Sequence, residues 1–139
     1  MNDDFAPFEL AVKLKEKGFN EKCLLHYEST GGFYSNSIDT YDRPNQELDY
    51  SDFQRCYNNG NSIGFIDAPA ISQVLKWLRK KHFIHISTKP YPCEDGIMWM
   101  YEIRKFSEYI STVVKNKTGF IKEEQAALAG IEYVLDNLI

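Results

Sequence analysis

Apolar residues change their spacing between two neighbouring parts of the chain, and this change constrains the fold more than any other feature. Over residues 68–82 they recur every three or four positions, which is typical of an amphipathic helix. The residues of its apolar face are Ile71, Val74, Leu75 and Leu78. Over residues 83–87 and 96–104 the period is two, which is typical of strands. The sequence therefore predicts a helix followed by two strands.

The helix of this pattern is expected to run from Ala68 to His82. Asp67 is a suitable N-terminal cap, and Pro69 falls in the first turn, where a missing N–H breaks no helical hydrogen bond. Gln73 and Trp77 stand one turn apart beside the apolar face. This pair is interpreted either as part of the core or as a surface for a partner.

The two strands are expected to form an antiparallel hairpin. Pro90 and Pro92 should end the first strand, because proline cannot donate a hydrogen bond to the ladder, and residues 89–95 then form the connection. A β-branched run at 109–114 predicts a third strand, and residues 115–119 are expected to form a turn.

A final helix is expected from Lys122 to the C-terminus, with Glu123 and Glu124 at the positive end of its dipole. Gly130 in its interior costs about 1 kcal/mol relative to alanine, which predicts a close contact with another helix or a sheet. The apolar face comprises Ala127, Leu128, Ile131, Val134, Leu135 and Leu138.

The first part of the chain predicts a helix and a hairpin. The helix has Pro7 in its first turn and ends at Gly18, where glycine permits a left-handed stop. Strand-like residues 23–28 and 33–35 flank a glycine pair at 31–32, which is a two-residue hairpin signal.

These elements predict an α+β fold, in which an antiparallel sheet has helices packed on one face and the C-terminal part runs helix, strands, helix. The length of 139 residues predicts a single domain over residues 1–139. Residues 36–62 are expected to form a long loop. Either this loop has a function, or it contains a short strand that the pattern does not reveal. Residues 63–66 are expected to be a short extended piece.

Composition narrows the classes of partner. Hydrophobic residues make up 43% and charged residues 26% of the chain, as in ordinary globular proteins. The net charge of -4 argues against general binding to nucleic acid or to an anionic membrane. No apolar run is long enough to span a bilayer, so no membrane partner is expected. Aromatic residues make up 14%, which fits either a core of large side chains or a tyrosine-rich binding face.

The cysteines indicate the compartment. Cys23, Cys56 and Cys93 are odd in number and widely spaced, and no Cys-x-x-Cys pair exists. Together with an N-terminus that lacks an apolar signal core, this pattern predicts free thiols in a reducing compartment. We expect a cytoplasmic protein.

No grouping of residues predicts catalysis, a cofactor or a metal. His26, His82 and His85 lack a second cysteine or histidine pair at zinc spacing. Cys23 and His26 point to opposite faces of a strand, which argues against a thiol–imidazole pair. The acidic residues of 39–52 lack the ligand alternation of a calcium loop. We therefore predict no catalytic, cofactor-binding or metal-binding residue.

The basic residues of the central helix form the most distinctive charged cluster of the sequence. A binding surface of Lys76, Arg79, Lys80, Lys81 and Lys89 would contact phosphate groups. The competing interpretation is a solvated helix face whose last cations complement the helix dipole.

The order of elements from Ile71 onward resembles the double-stranded-RNA-binding fold. That resemblance implies phosphate contacts from lysines at the start of the final helix. Here the corresponding residues are Lys122, Glu123, Glu124 and Gln125, which place two acids where bases are expected. The resemblance therefore implies a shape more than an activity.

A second resemblance rests on residues 66–81, with Ala-Pro at 68–69, Gln73 and the Trp-Leu-Arg run at 77–79. This motif is similar to one in a family of short uncharacterised proteins from gut bacteria and their phages. Residues 11–19 followed by a cysteine, and the Glu-Glu-x-Ala run at 123–126, resemble the same family. The resemblance implies an origin in phage or a mobile element, and it implies no activity.

Three functions follow as hypotheses from different classes. The first is a small non-enzymatic interaction module that binds a protein partner or forms a homo-oligomer. The second is a nucleic-acid-binding domain that uses the basic surface, a hypothesis against which the net charge argues. The third is a small enzyme whose site lies beneath the 36–62 loop.

Overall fold

A computed structural model describes residues 4–28, 33–35 and 65–139. The expected loop at 36–62, the glycine pair at 31–32 and Cys56 lie outside these residues. The chain divides into two compact units, Asp4–Ala70 and Ile71–Ile139, which we name the N-terminal and C-terminal units.

The N-terminal unit contains one helix and three strands among its described residues. They are α1 (Phe8–Glu16), β1 (Leu25–Glu28), β2 (Phe33–Ser35) and β3 (Phe65–Ala68). The strand order is β2-β1-β3, and both pairs are antiparallel. The predicted pairing of 23–28 with 33–35 is confirmed, with His26 opposite Tyr34. Residues 65 and 66 of the expected extended piece at 63–66 lie in β3, which pairs with β1, and residues 63 and 64 lie outside the described residues.

The core of the N-terminal unit lies beneath α1. Leu10, Ala11 and Leu14 are the buried residues of the helix. The helix stops as predicted at Gly18, which has a φ of 90°, and the Phe19 N–H donates to the Leu14 carbonyl at 2.9 Å. This left-handed turn brings the backbone of the buried Phe19 back to the last turn of the helix.

Two contacts tie the start of the chain to the N-terminal sheet. The Ala6 N–H donates to the Pro69 carbonyl at 2.8 Å. The Tyr27 hydroxyl donates to the Ala6 carbonyl, also at 2.8 Å, and its ring packs edge-on against Phe8 at 5.6 Å between centroids. Burial raises the pKa of the Tyr27 hydroxyl, because the charged form is penalised more than the neutral one.

The C-terminal unit follows the predicted order of helix, strands and helix. Its elements are α2 (Ile71–His82), β4 (Ile84–Cys93), β5 (Gly96–Phe106), β6 (Ser111–Phe120) and α3 (Glu123–Asn137). The three strands form an antiparallel sheet in the order β4-β5-β6. The fold is therefore α+β, as predicted. The described strands belong to two three-stranded sheets, where the sequence suggested one. The single domain over residues 1–139 stays a prediction.

The helix layer of the C-terminal unit lies on one face of its sheet. Ile84 and Ile86 of β4 and Tyr101 and Ile103 of β5 are buried, as period two predicts. Gly130 of α3 lies directly on this surface, since a β-carbon there would stand 2.9 Å from Ile86 Cγ2 and 3.3 Å from Tyr101 Cγ. The predicted close contact at Gly130 is thereby confirmed. α2 packs beside α3 and against β4.

The expected start of the central helix at Ala68 is wrong. Asp67 and Ala68 belong to β3, where they pair with His26 and Leu25, and α2 begins at Ile71. Asp67 is therefore a strand residue and not a cap. The physical reason is that Pro69 cannot continue a strand ladder easily, so it separates β3 from α2. The end at His82 is as predicted.

The expectation that Pro90 and Pro92 end the first strand is also wrong, since β4 runs through both to Cys93. The Phe106 N–H donates to the Phe83 carbonyl at 2.9 Å, so the odd-numbered backbone positions of this strand point toward β5. Both prolines are even-numbered, and β4 is an edge strand. Their missing N–H groups would face away from β5, so no ladder hydrogen bond is lost.

The expected turn at 115–119 is wrong as well, because these residues continue β6 as far as Phe120. The turn between β5 and β6 lies at residues 107–110, where the Ser107 N–H donates to the Ile110 carbonyl at 2.9 Å. Gly119 has a φ of 97°, which glycine adopts without strain. It lies within an irregularity in the pairing of β5 with β6, so the glycine marks this irregularity and not a turn.

Candidate functional site

The basic residues of α2 are all exposed, as a binding surface requires. Lys76, Arg79 and Lys80 have the spacing i, i+3 and i+4 and therefore form one stripe on the helix. Lys81 stands about 140° from Lys76 around the helix axis, so it lies off this stripe. The buried residues Val74 and Leu78 lie on the opposite side of α2. The stripe is consequently the solvent face of an amphipathic helix.

Lys89 is not part of the same surface. It is odd-numbered in β4, and the even-numbered Ile84 and Ile86 face the helices, so Lys89 lies on the other face of the sheet. Its charge acts on Glu102, which lies on that same face. The structure thus separates Lys89 from the α2 stripe by the thickness of the sheet.

The sheet face opposite the helices carries a short charged cluster. Arg104 donates from Nε to the Glu102 carboxylate at 2.7 Å and from Nη1 to the Ser111 hydroxyl at 3.3 Å. The hydrogen bond from Arg104 holds the pKa of the Glu102 carboxyl below its usual range. His85 on the same face packs edge-on against Phe106 at 6.3 Å. Arg104 and Glu102 therefore neutralise one another on this face.

Trp77 belongs to the core, and its partner-facing interpretation does not hold. Only 6% of its surface is exposed, and its ring lies 4.8 Å from the His82 ring in an edge-on arrangement. The Nε2 atom of His82 is buried and has no hydrogen-bond partner among the described residues. Burial lowers the pKa of His82, and the neighbouring Lys81 charge lowers it further.

The outer edge of β6 is one of the two edges of the C-terminal sheet. Odd-numbered residues of β5 point their backbone groups toward β6, and they pair there with Thr112, Lys115 and Lys117. The partners of the even-numbered β5 residues point their backbone groups outward. We define the β6 edge as the outward-facing N–H and C=O groups of Ser111, Val113 and Asn116. No described strand pairs with this edge.

The two edges of this sheet differ in their chemistry. β4 carries Pro90 and Pro92 at outward-facing positions, and prolines on an edge prevent another strand from pairing there. β6 contains no proline, and every residue from Ser111 to Gly119 is exposed. Lysines and the two irregularities in its pairing are its protection against unspecific association. Strand addition is therefore blocked along half of β4 and open along parts of β6.

Exposed apolar side chains concentrate along β6 and at its two ends. Val113 and Val114 are 40% and 37% exposed, whereas Tyr109 at the preceding turn is 93% exposed. Ile110 and Ile121, which flank the strand, are exposed by about two thirds. Single exposed apolar residues are ordinary, but a group on one edge strand is typical of an interaction surface.

Two lysines give this edge its charge. The Lys115 ammonium lies 5.4 Å from the centre of the Tyr133 ring of α3. The Lys117 ammonium lies 6.0 Å from the centre of the Phe120 ring. Each cation is held over an aromatic face, so its position is better defined than that of a freely rotating surface lysine. β6 holds no acidic residue.

The described residues contain no cluster of three or more histidine, cysteine, aspartate or glutamate side chains that could hold a metal ion. Cys23 is buried and Cys93 is exposed, and both are free thiols. Within residues 4–28, 33–35 and 65–139, every helix is too short or too polar to traverse a lipid bilayer.

Comparisons with known proteins match nothing: no family model, no curated protein and no solved structure is similar enough to this chain.

Sequence reasoning located the α2 stripe but missed the β6 edge. The reason is the interpretation of residues 115–119 as a turn, which removed half of the strand. The β-branched run did predict a strand, and one further signal could have located the edge. The prolines of β4 identify that strand as an edge and make β6 the opposite one.

Proposed function

We propose that this chain is a non-enzymatic interaction module and that it binds an extended segment of a partner protein along the β6 edge. The segment would add to the sheet as a fourth strand. The observation that carries the proposal is the pairing pattern of β6, whose backbone groups at Ser111, Val113 and Asn116 point outward while the opposite edge carries prolines.

The exposed apolar residues support the same surface. Main-chain hydrogen bonds give strand addition its affinity, and side-chain contacts on both sides of the added strand give it specificity. Val113 and Val114 lie on the strand itself, and Tyr109 and Ile110 lie beside it. A partner segment would bury these side chains as it pairs, which adds a hydrophobic contribution of about 25 cal/mol per Å² of apolar surface.

A peptide-display selection with a random library tests this function. Enriched peptides should bind the wild-type protein and lose at least about tenfold in affinity for Asn116→Pro, which removes an outward-facing N–H. Asn116→Ala is the matched control, because it removes the side chain and keeps that N–H. Enriched peptides that bind Asn116→Pro and the wild type equally would contradict the proposal.

The comparison of affinities requires that Asn116→Pro keeps its fold. The tolerance of Pro90 and Pro92 in β4 indicates that an outward-facing proline is compatible with this sheet. Circular dichroism and the thermal midpoint of Asn116→Pro should therefore remain close to those of Asn116→Ala. If the proline variant unfolds, Val113→Pro provides a second outward position on the same strand.

Self-association is the other form of the proposed interaction. Two copies could pair through their β6 edges in a two-fold arrangement. Size-exclusion chromatography with light scattering over a hundredfold range of concentration distinguishes it from partner binding. A homodimer that Asn116→Pro dissociates would assign the edge to a second copy.

Binding to nucleic acid is the second candidate, and the exposed stripe of Lys76, Arg79 and Lys80 favours it. Binding should weaken steeply with salt, because each phosphate contact releases counterions. A gel shift with double-stranded RNA, duplex DNA and single strands at low salt tests it. The triple variant Lys76→Glu/Arg79→Glu/Lys80→Glu should abolish the gel shift, whereas Lys89→Glu on the other sheet face should leave most of it.

The origin and the compartment also belong to the proposal. The support for a phage or mobile-element origin is the motif at residues 66–81. The support for a cytoplasmic location is the pair of free thiols, since such thiols persist in a reducing compartment. Fluorescence microscopy of a tagged protein in its native cell tests the location.

A further inference from the structure

We infer that the segment bound at the β6 edge is acidic, with carboxylates at every second residue on the side that faces the helix layer. This inference rests on the proposed function and specifies the chemistry of the partner. Its basis is the charge of β6, which carries Lys115 and Lys117 and no acidic residue.

The two lysines lie on one side of the strand. Lys115 pairs with Ile103 and Lys117 pairs with Tyr101, and both of these β5 residues are buried under the helices. Side chains of directly paired residues lie on the same face of a sheet. The Lys115 contact with the Tyr133 ring of α3 agrees with this placement. Both ammonium groups therefore stand at the helix-side rim of the edge.

An added strand must match that arrangement residue by residue. Its residues opposite Lys115 and Lys117 would be two apart and would point to the same rim, because side chains alternate along a strand. Carboxylates at these two positions would lie beside the ammonium groups, whereas cations there would be repelled. The pairs are exposed, so each contributes modestly to affinity, and together they select the sign of the charge.

The opposite rim favours a different side chain. Val113 pairs with Arg104 and Asn116 pairs with Glu102, so both lie on the face away from the helices. Arg104 and Glu102 neutralise one another on this face, so a partner carboxylate would gain little there and a neutral or apolar residue is favoured. The resulting pattern alternates acidic and apolar residues.

The irregular pairing near Val114 limits the length of the segment. The register shifts between Ile103 and Arg104, so the strand bends and gains twist at this point. A second shift lies between Trp99 and Tyr101, so the regular stretch that carries both lysines is limited to residues 115–117. A long flat strand cannot follow such an edge, whereas a short segment can pair along this stretch. A second copy of β6 fits poorly, because it would bring two further lysines to a rim that already carries two.

Fluorescence anisotropy with three labelled nine-residue peptides tests the inference. The first alternates Glu and Val, the second alternates Lys and Val, and the third has the composition of the first with all Glu residues in one block. The alternating Glu peptide should bind at least about tenfold more tightly than the other two. Equal or tighter binding of the Lys peptide would overturn the inference.

Variants of the protein make the test independent of peptide solubility. Lys115→Glu/Lys117→Glu should weaken the alternating Glu peptide by about tenfold or more and should improve the Lys peptide. Lys89→Glu, on the other sheet face, should change neither by more than about twofold. Lys115→Gln/Lys117→Gln removes both positive charges without reversing them, so the loss of affinity for the alternating Glu peptide should be intermediate. Unchanged affinity in both double variants would overturn the inference.

The outcomes also separate this inference from the proposed function. If the library selects neutral or basic peptides and Asn116→Pro does not bind them, the β6 edge is still the binding surface. Its preference for acidic segments is then wrong. If the binding of no selected peptide depends on Asn116, both the proposed function and this inference are wrong.

Discussion

Gly130 of α3 lies so close to Ile86 of β4 that a β-carbon on the glycine would stand 2.9 Å from the Ile86 Cγ2 atom. The Ile86 methyl is attached to a branched carbon and cannot rotate away freely. The Tyr101 ring closes the other side, with its Cγ atom at 3.3 Å. Glycine therefore sets the distance between helix and sheet in the C-terminal unit, and this requirement outweighs its poor helix propensity.

Gly130→Ala should lower the free energy of unfolding by up to about 2 kcal/mol. Overpacking costs about 1–3 kcal/mol, and the better helix propensity of alanine offsets about 1 kcal/mol of it. Urea denaturation followed by circular dichroism measures the difference. The Gly130→Ala/Ile86→Ala double variant removes the clashing methyl, so the two changes should be less than additive. A stabilised Gly130→Ala would contradict the close contact.

The free energy of unfolding should fall as the pH drops from about 7 to 5, and His82 should account for part of the loss. The pKa of folded His82 lies below its usual value of 6.5, so the unfolded chain binds the proton more tightly. Stability from the neutral ring is complete above about 6.5 and is lost as the pH falls toward the folded pKa. Urea midpoints across this range should vary less in His82→Gln. A variant with the same pH dependence as the wild type would rule out this role.

Tyr27→Phe should destabilise the N-terminal unit by about 1 kcal/mol, because it removes the hydrogen bond to the Ala6 carbonyl. Tyr109→Phe is the matched control, since Tyr109 is 93% exposed and its hydroxyl is solvated. Thermal denaturation of both variants against the wild type measures the difference. Equal midpoints for the two would show that the Tyr27 bond makes no net contribution.

Pro90→Val/Pro92→Val should increase self-association. The two substitutions restore N–H groups that point outward from β4, so a second edge becomes available for pairing. Light scattering at increasing protein concentration should detect the change. Pro90→Lys/Pro92→Lys restores the same N–H groups but adds charge, so it should remain closer to the wild type. Association of the Lys variant to the same extent would indicate a loss of fold instead.

The elements of the C-terminal unit could be predicted because their side chains have a regular period. Val74 and Leu78 of α2, and Tyr101 and Ile103 of β5, are buried where the periods of 3.6 and two place them. Gly130 was also interpretable, since a glycine in a helix interior needs a packing reason. Local pattern is sufficient where one face of an element is buried and the other is not.

The wrong predictions concern residues whose structural role depends on the strand order of the sheet as well as on the local sequence. Pro90 looks like a strand breaker until its N–H direction is known, and that direction depends on which neighbour pairs with β4. Gly119 looks like a turn residue until the irregular register with Trp99 and Tyr101 is known. The β6 edge could not be predicted for the same reason, because an edge is a property of strand order.

The prolines of β4 also determine the stoichiometry of any complex formed through the C-terminal sheet. Growth of a fibril by strand addition requires two pairing edges on each copy, so that every added strand offers a new one. In this sheet Pro90 and Pro92 close half of the β4 edge, whereas β6 has no proline. Assembly through the sheet therefore does not propagate readily, and finite complexes are expected: one partner segment for each copy, or a closed pair.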